Sequence, residues 1–137
     1  MKFDLYILNK LDISKIDRAQ YLPLLEKIIH LSNKARRQGL LSLEEDIEVS
    51  PYRLMRRGLQ FVIDGTDPKL ISEILERTIL LSNAPPEKIM ENCIIAVGVL
   101  GIQEGYSPRM LRENLQSFMG NIIVPEYEYT SISSRTH

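Results

Sequence analysis

Few side chains in this sequence have the type and spacing to do chemistry. The two histidines are His30, set in a helical pattern among polar neighbours, and His137 at the end of the chain. A metal site needs several convergent ligands. Neither histidine has companions at ligand spacing, so His30 reads as a surface or boundary residue. Cys93 is the single cysteine and lies in the most apolar stretch, where a thiol packs as a small hydrophobe and is not a nucleophile. One cysteine also excludes an intramolecular disulfide and a cysteine-based zinc site. Two charged runs complete the set. Glu44, Glu45, Asp46 and Glu48 suggest oxygen ligands for a hard cation, and Arg53, Arg56 and Arg57 a nucleic-acid patch. The first run lacks liganding geometry and the second lacks interleaved aromatic side chains, so both read first as solvated faces. Arg53, Arg56 and Arg57 are kept as candidate protein-interaction residues. The sequence has no glycine loop ending in Lys-Ser or Lys-Thr, no GxSxG elbow and no HExxH pair. We therefore expect no catalytic, cofactor-binding or metal residues, no cofactor, and a chain that is not an enzyme.

The remaining residues must build the body that displays these charges. A length of 137 residues predicts one domain with one main core. Hydrophobic residues at 44% and charged residues at 26% suit a folded protein and not a disordered one. Seventeen Lys and Arg against eighteen Asp and Glu leave a net charge of -1, which removes any whole-molecule pull on nucleic acid or anionic membrane. Such binding would need a local patch, and no nucleic-acid partner is expected. The longest apolar run, Cys93 to Ile102, is ten residues, about half of what a membrane-spanning helix needs. The start, MKFDLYILNKLD, has an early acidic residue and no small-residue cleavage site. A cytoplasmic location without a transmembrane segment is the expectation.

Helix punctuation is dense. A short helix is expected after Asp12, then a longer one from near Pro23 through Leu24, Leu25, Ile28, Ile29, Leu31 and Ala35 to Gly39. Ser42 and Glu45 have capping-box spacing, which predicts a short acidic helix over about Leu43 to Glu48. Ser50-Pro51 reads as the start of the next helix, with Tyr52, Met55, Leu59 and Val62 on one stripe. Asp64-Gly65-Thr66-Asp67-Pro68 is a stop and restart, followed by Leu70, Ile71, Ile74, Leu75 and Ile79 on one face. Pro86 opens a helix that is apolar nearly all round and belongs in the middle of the fold. Gly105 ends it, with Gly101 four residues earlier read as a close-packing position. Ser107-Pro108 starts a last helix carrying Leu111, Leu115 and Phe118 before Gly120.

The fold class is thus all-α, a compact bundle of five or six short helices in a single domain over residues 1–120. For the tail, residues 121–137, two readings stay open. IIVPEYEYT could form a short strand paired with the alternating Phe3, Leu5 and Ile7, or the tail could fray while its apolar residues tuck against helices.

Two separated stretches carry a family resemblance. One is Ala35-Arg-Arg-Gln-Gly-Leu-Leu-Ser-Leu-Glu44, followed by Arg57-Gly-Leu-Gln-Phe-Val-Ile-Asp-Gly-Thr-Asp-Pro68; the other is Gly98-Val-Leu-Gly-Ile-Gln-Glu-Gly-Tyr-Ser-Pro-Arg109. In composition and order they resemble cytoplasmic segments of MotA, the flagellar motor stator family related to TolQ and ExbB. In that family two membrane helices separate the stretches and two more precede the first, whereas here Ile79 to Pro86 joins them directly. The resemblance therefore implies the family's protein-facing part without its ion channel. It also implies a partner, the rotor protein FliG or another motor component, engaged through opposite charges. By motif the positive position falls on Arg36 and the negative one on Glu44. On a continuous helix, eight residues of separation would give about 12 Å of rise and roughly 80° of rotation, although Gly39 lies between them. An equally open reading is that each charge only complements a helix end. Three functions follow in order: a soluble motor-binding module at the inner face of the membrane, a helical scaffold unrelated to motility, and a small ligand binder or enzyme. A monomer or weak homodimer is expected.

Overall fold

The computed structural model describes residues 16–120. Within them the chain forms six α-helices: α1 (Leu22–Gln38), α2 (Glu44–Val49), α3 (Arg53–Ile63), α4 (Pro68–Leu80), α5 (Pro86–Glu104) and α6 (Pro108–Gln116). Short 3-10 turns at Arg18–Tyr21, Leu40–Leu43 and Ser117–Met119 join or flank them. The fold is all-α, and no strand occurs among the described residues. The expected helix after Asp12, the pairing of the termini and His137 lie outside the described residues.

Helix ends follow local chemistry. Asp67 caps α4 by accepting from the Lys69 amide at 3.4 Å, and Ser107 caps α6 by accepting from Met110 at 3.1 Å. Proline occupies the first positions of α4, α5 and α6, where its missing N–H costs nothing. At the end of α5, Gly105 adopts φ 75°. The Tyr106 amide then reaches back to the Gly101 carbonyl at 3.1 Å, satisfying a group that the helix leaves orphaned.

Two expected serine roles are corrected. Ser42 is not an N-cap: it sits in the 3-10 turn, its hydroxyl donates to the Gly39 carbonyl at 2.6 Å, and α2 begins behind Leu43 without a side-chain cap. Leu43 is fully buried, so its anchoring sets where the turn closes. Likewise Ser50-Pro51 does not open α3, which begins at Arg53. The Ser50 hydroxyl instead accepts from the Tyr52 amide at 3.2 Å, a serine turn that ends before the helix starts.

The core is organised around α5, which packs against α1, α3, α4 and α6. Ten of its residues are buried, from Met90 through Cys93 and Ile94 to Ile102, so it is apolar on every side as a central helix must be. Its neighbours contribute single stripes: Ile71, Leu75 and Ile79 from α4, and Leu54, Met55, Leu59 and Val62 from α3. Leu70 is exposed, and Ile74 is only partly covered. Glycine makes close approach possible. A Cβ on Gly98 would sit 2.7 Å from Ile28 Cγ2, and one on Gly101 2.5 Å from Leu111 Cδ1. Gly101 is thus a packing position and Gly105 a cap.

No helix among the described residues is long and apolar enough to cross a membrane. The link from α4 to α5 is residues 81–85, with Asn83 at φ 51° and Leu81 exposed.

Candidate interaction surfaces

Arg36 and Glu44 flank one corner. The chain does not continue as a helix between them: Gly39 adopts φ 90° and ψ 162°, its amide closing on Ala35 O at 2.8 Å, and the Leu40–Leu43 turn leads into α2. The helical rise and rotation considered from sequence therefore do not apply. Glu44 occupies the first position of α2, is exposed, and its carboxylate makes no hydrogen bond or ion pair among the described residues. Arg36 lies in the last turn of α1 and is also exposed. Its guanidinium donates to the Gly105 carbonyl at 2.8 Å, so it neutralises the negative end of α5 as well as that of its own helix. This contact joins the two stretches that carry the family resemblance.

Of the rest of the acidic run, Asp46 turns inward, Glu45 reaches Lys34 from an exposed position, and Glu48 is exposed. Lys34 on α1 donates to Asp46 Oδ2 at 2.8 Å and to Glu45 Oε1, and Lys27 lies 3.9 Å from Asp46. Hydrogen bonds to Asp46 and then Glu45 hold the Lys34 ammonium above the ordinary lysine value, against the opposing effect of burial. Lys34 and Asp46 keep only 11% and 13% of their side chains exposed. Their pairing ties α2, which packs on α3 and has Ile47 partly buried against the core, to α1. Around this charged corner the apolar side chains of Leu40, Leu41 and Val49 remain exposed, Leu41 and Val49 by 67% and 75%. Tyr106, next to the Arg36 contact, is also exposed.

The structure divides the basic run. Arg56 donates to the Ser50 carbonyl at 2.6 Å and so secures the link between α2 and α3. Arg53 and Arg57, one helical turn apart, are exposed and line a half-open cavity of about 360 Å³. Tyr52, just before α3, and Leu54 border it on one side, Thr78 of α4 and Ser82 of the following link on another, and Lys88 and Asn92 from α5. Lys88 donates to Glu91 at 2.7 Å. A second cavity of about 320 Å³, between α4, α5 and α6, has Lys69 and Glu104 in its wall.

Other candidates are placed as structural parts. His30 is exposed and Cys93 is fully buried among core residues. Among the described residues no three His, Cys, Asp or Glu side chains gather to hold a metal. Sequence reasoning missed Lys34, Lys88 and Tyr106. Lys34 and Lys88 gave no local signal, because what defines them is the helix they meet.

No protein-family model matches the chain. Segments of it are similar to motility protein A of Borreliella burgdorferi, 40% identical over 48 residues, and of Treponema phagedenis, 40% identical over 53 residues. A further match, to motility protein A of Treponema pallidum, is 38% identical over 53 residues. The alignments cover 18–20% of those relatives' own length, so the chain spans about a fifth of each. Over the matched segment, 35–39% of its length, this chain resembles motility protein A.

Proposed function

We propose that this chain is a MotA-like helical interaction module that docks on a flagellar motor component, with the rotor protein FliG the first candidate, and conducts no ions. The observation that carries this reading is the corner where an exposed guanidinium, Arg36, and an exposed carboxylate, Glu44, stand on either side of exposed Leu40 and Leu41. Opposite charges around a small apolar patch suit rapid, oriented and reversible association. The module would act at the inner face of the membrane as a monomer or weak homodimer, and without catalysis.

The test is capture of purified FliG torque domain at low and moderate salt by wild type, Arg36→Glu and Glu44→Lys. Arg36 also bonds Gly105 O, so Arg36→Lys and a thermal melt of each variant separate a lost docking charge from a loosened α5 end. We expect Glu44→Lys to reduce capture while melting like wild type, and Arg36→Lys to retain most of it. Capture unchanged by either charge reversal would overturn the assignment. A scaffold role outside motility is the second reading, favoured by the absence of a matching family model and by the short alignments. Normal swimming by a deletion strain would select it.

A further inference from the structure

We infer that the cavity between α3, the end of α4 and the start of α5 binds the phosphate group of a small phosphorylated ligand. Among the described residues, three cationic side chains, Arg53, Arg57 and Lys88, line it, and no carboxylate does. The other cavity, by contrast, balances Lys69 with Glu104. Arg53 and Arg57 make no ion pair among the described residues. Glu91 takes up one of the three charges by accepting from Lys88. The uncompensated pair is two guanidinium groups, whose planar forks match phosphate oxygens two at a time. The Asn92 amide adds a neutral donor at the same wall.

The local fold makes this gathering of charge unfavourable unless an anion completes it. Arg53 is the first residue of α3 and Lys88 lies in the first turn of α5. Both therefore place a cation at the positive end of a helix, where the aligned peptide dipoles favour an anion. A dianion held among them meets the two guanidinium groups and the ammonium that Lys88 shares with Glu91, whereas a single carboxylate leaves part of that charge unmatched. Thr78 and Ser82 are not available as donors, since their hydroxyls already donate to Ile74 O at 2.7 Å and Ile79 O at 2.9 Å. The cations and Asn92 thus do the binding. A volume of about 360 Å³ is at the small end of ligand pockets, which suits a phosphate ester with a compact remainder resting on Tyr52 and Leu54. The net charge of -1 means that the attraction must be local, as it is here. This inference does not depend on docking at the Arg36 and Glu44 corner.

The phosphate can belong to a soluble ester or to a lipid headgroup, and two probes distinguish them. Calorimetric titration of the full chain with inorganic pyrophosphate reports the soluble case. Flotation with phosphatidylcholine vesicles, with and without a phosphoinositide, reports the lipid case. We expect pyrophosphate binding that weakens with added salt and falls about tenfold on Arg57→Gln, the scale of one lost charge-assisted contact. Arg53→Gln should act similarly, and Arg109→Gln, which alters an exposed arginine outside the cavity, should not. Flotation dependent on both the phosphoinositide and Arg57, with no pyrophosphate binding, assigns the site to a headgroup and supports the inference equally. Binding of neither probe, or binding that Arg57→Gln and Arg109→Gln weaken alike, overturns it. Thermal melts of the variants establish that they are folded.

Discussion

At the corner between α1 and α2, Lys34 and Lys27 face Asp46 while Glu45 closes on Lys34 from the other side. At the cavity between α3 and α5, Arg53, Arg57 and Lys88 gather with Glu91 as the sole acidic contact among the described residues. In the sequence both regions are charged runs of the same kind, each suggesting a solvated face. Folding sorted them by a criterion the runs do not contain, namely whether another helix brings a counter-charge. Where it does, as at Asp46 and Lys34, the charges hold the structure together, while Glu44, Glu48 and Arg36 keep an outward aspect. Where it does not, the charges remain available to something outside the chain. The number of charges in a run therefore says little about function, and their partners across the fold say much.

The most disruptive way to break the comparison is at a pair that the fold uses fully. Arg112 on α6 grips Glu26 on α1 with both forks, Nη1 to Oε1 at 2.5 Å and Nη2 to Oε2 at 2.9 Å, with only 8% of the arginine side chain exposed. Arg112→Ala removes a bidentate contact and its packing between two helices. The expected cost is about 3 kcal/mol, read from the urea midpoint at unchanged slope. A loss below about 1 kcal/mol would mean that consumed charges contribute no more than surface pairs do.

Alkaline titration is the next largest perturbation. The Tyr21 hydroxyl donates to Glu87 O at 2.7 Å, tying the start of α1 to the first turn of α5. Burial first, and the carboxylates of Glu87, Glu91 and Asp17 after it, push its pKa up from 10.0 to about 12. A raised value in the folded state means that folding favours the protonated form. Its contribution is therefore complete below pH 10 and is lost as pH rises towards 12. Lys34, also raised, contributes fully below its ordinary value of 10.5 and less above it. Stability should thus be insensitive to these two groups from neutral pH to about 10 and fall steeply beyond. Tyr21→Phe should remove the first part of that fall. An ultraviolet titration in which all tyrosines ionise together near 10 would contradict the assignment.

Lys34→Met tests the corner itself. Without the ammonium, Asp46 keeps, among the described residues, only the distant Lys27, and α2 loses its ion-paired tether to α1. Thermal melting should fall by less than for Arg112→Ala, and amide exchange should speed up over residues 44–49 more than in α5. Uniform acceleration along the whole chain would argue that α2 is held by Leu43 and not by the ion pairs.

These expectations also show what a reader of the sequence can recover. Helix ends at Asp67-Pro68, Gly105 and Ser107-Pro108 were legible because their determinants lie within four residues of the end they set. The central place of α5 was legible because ten buried positions leave no polar face. The acidic helix lies within one residue of its expected place, but the helix-starting roles of Ser42 and Ser50 do not hold, because each serine has two local options, a cap or a turn. The burial of Leu43, and of Leu54 and Met55 beyond Ser50, decided between them. The surfaces were least legible. Arg36 meets Gly105 across 69 positions, and Lys88 joins Arg53 only because α5 lies against α3. Spacing within a helix cannot encode either meeting.

The smallest expected effect separates the two regions most cleanly. If the cavity cations served the fold, neutralising one would cost stability, as at Lys34. Arg53 stands at the first position of α3, where a positive charge opposes the helix dipole, and among the described residues it shares its cavity wall with Arg57 and Lys88 and has no carboxylate partner. Arg53→Gln should therefore leave the urea midpoint unchanged or raise stability by about 0.3 kcal/mol, while pyrophosphate or headgroup binding weakens. Measured in added salt, the gain should shrink, because screening relieves the same repulsion in wild type. A destabilised Arg53→Gln would show that the arginine has a structural partner, and the distinction between charges used and charges left over would fail at that position.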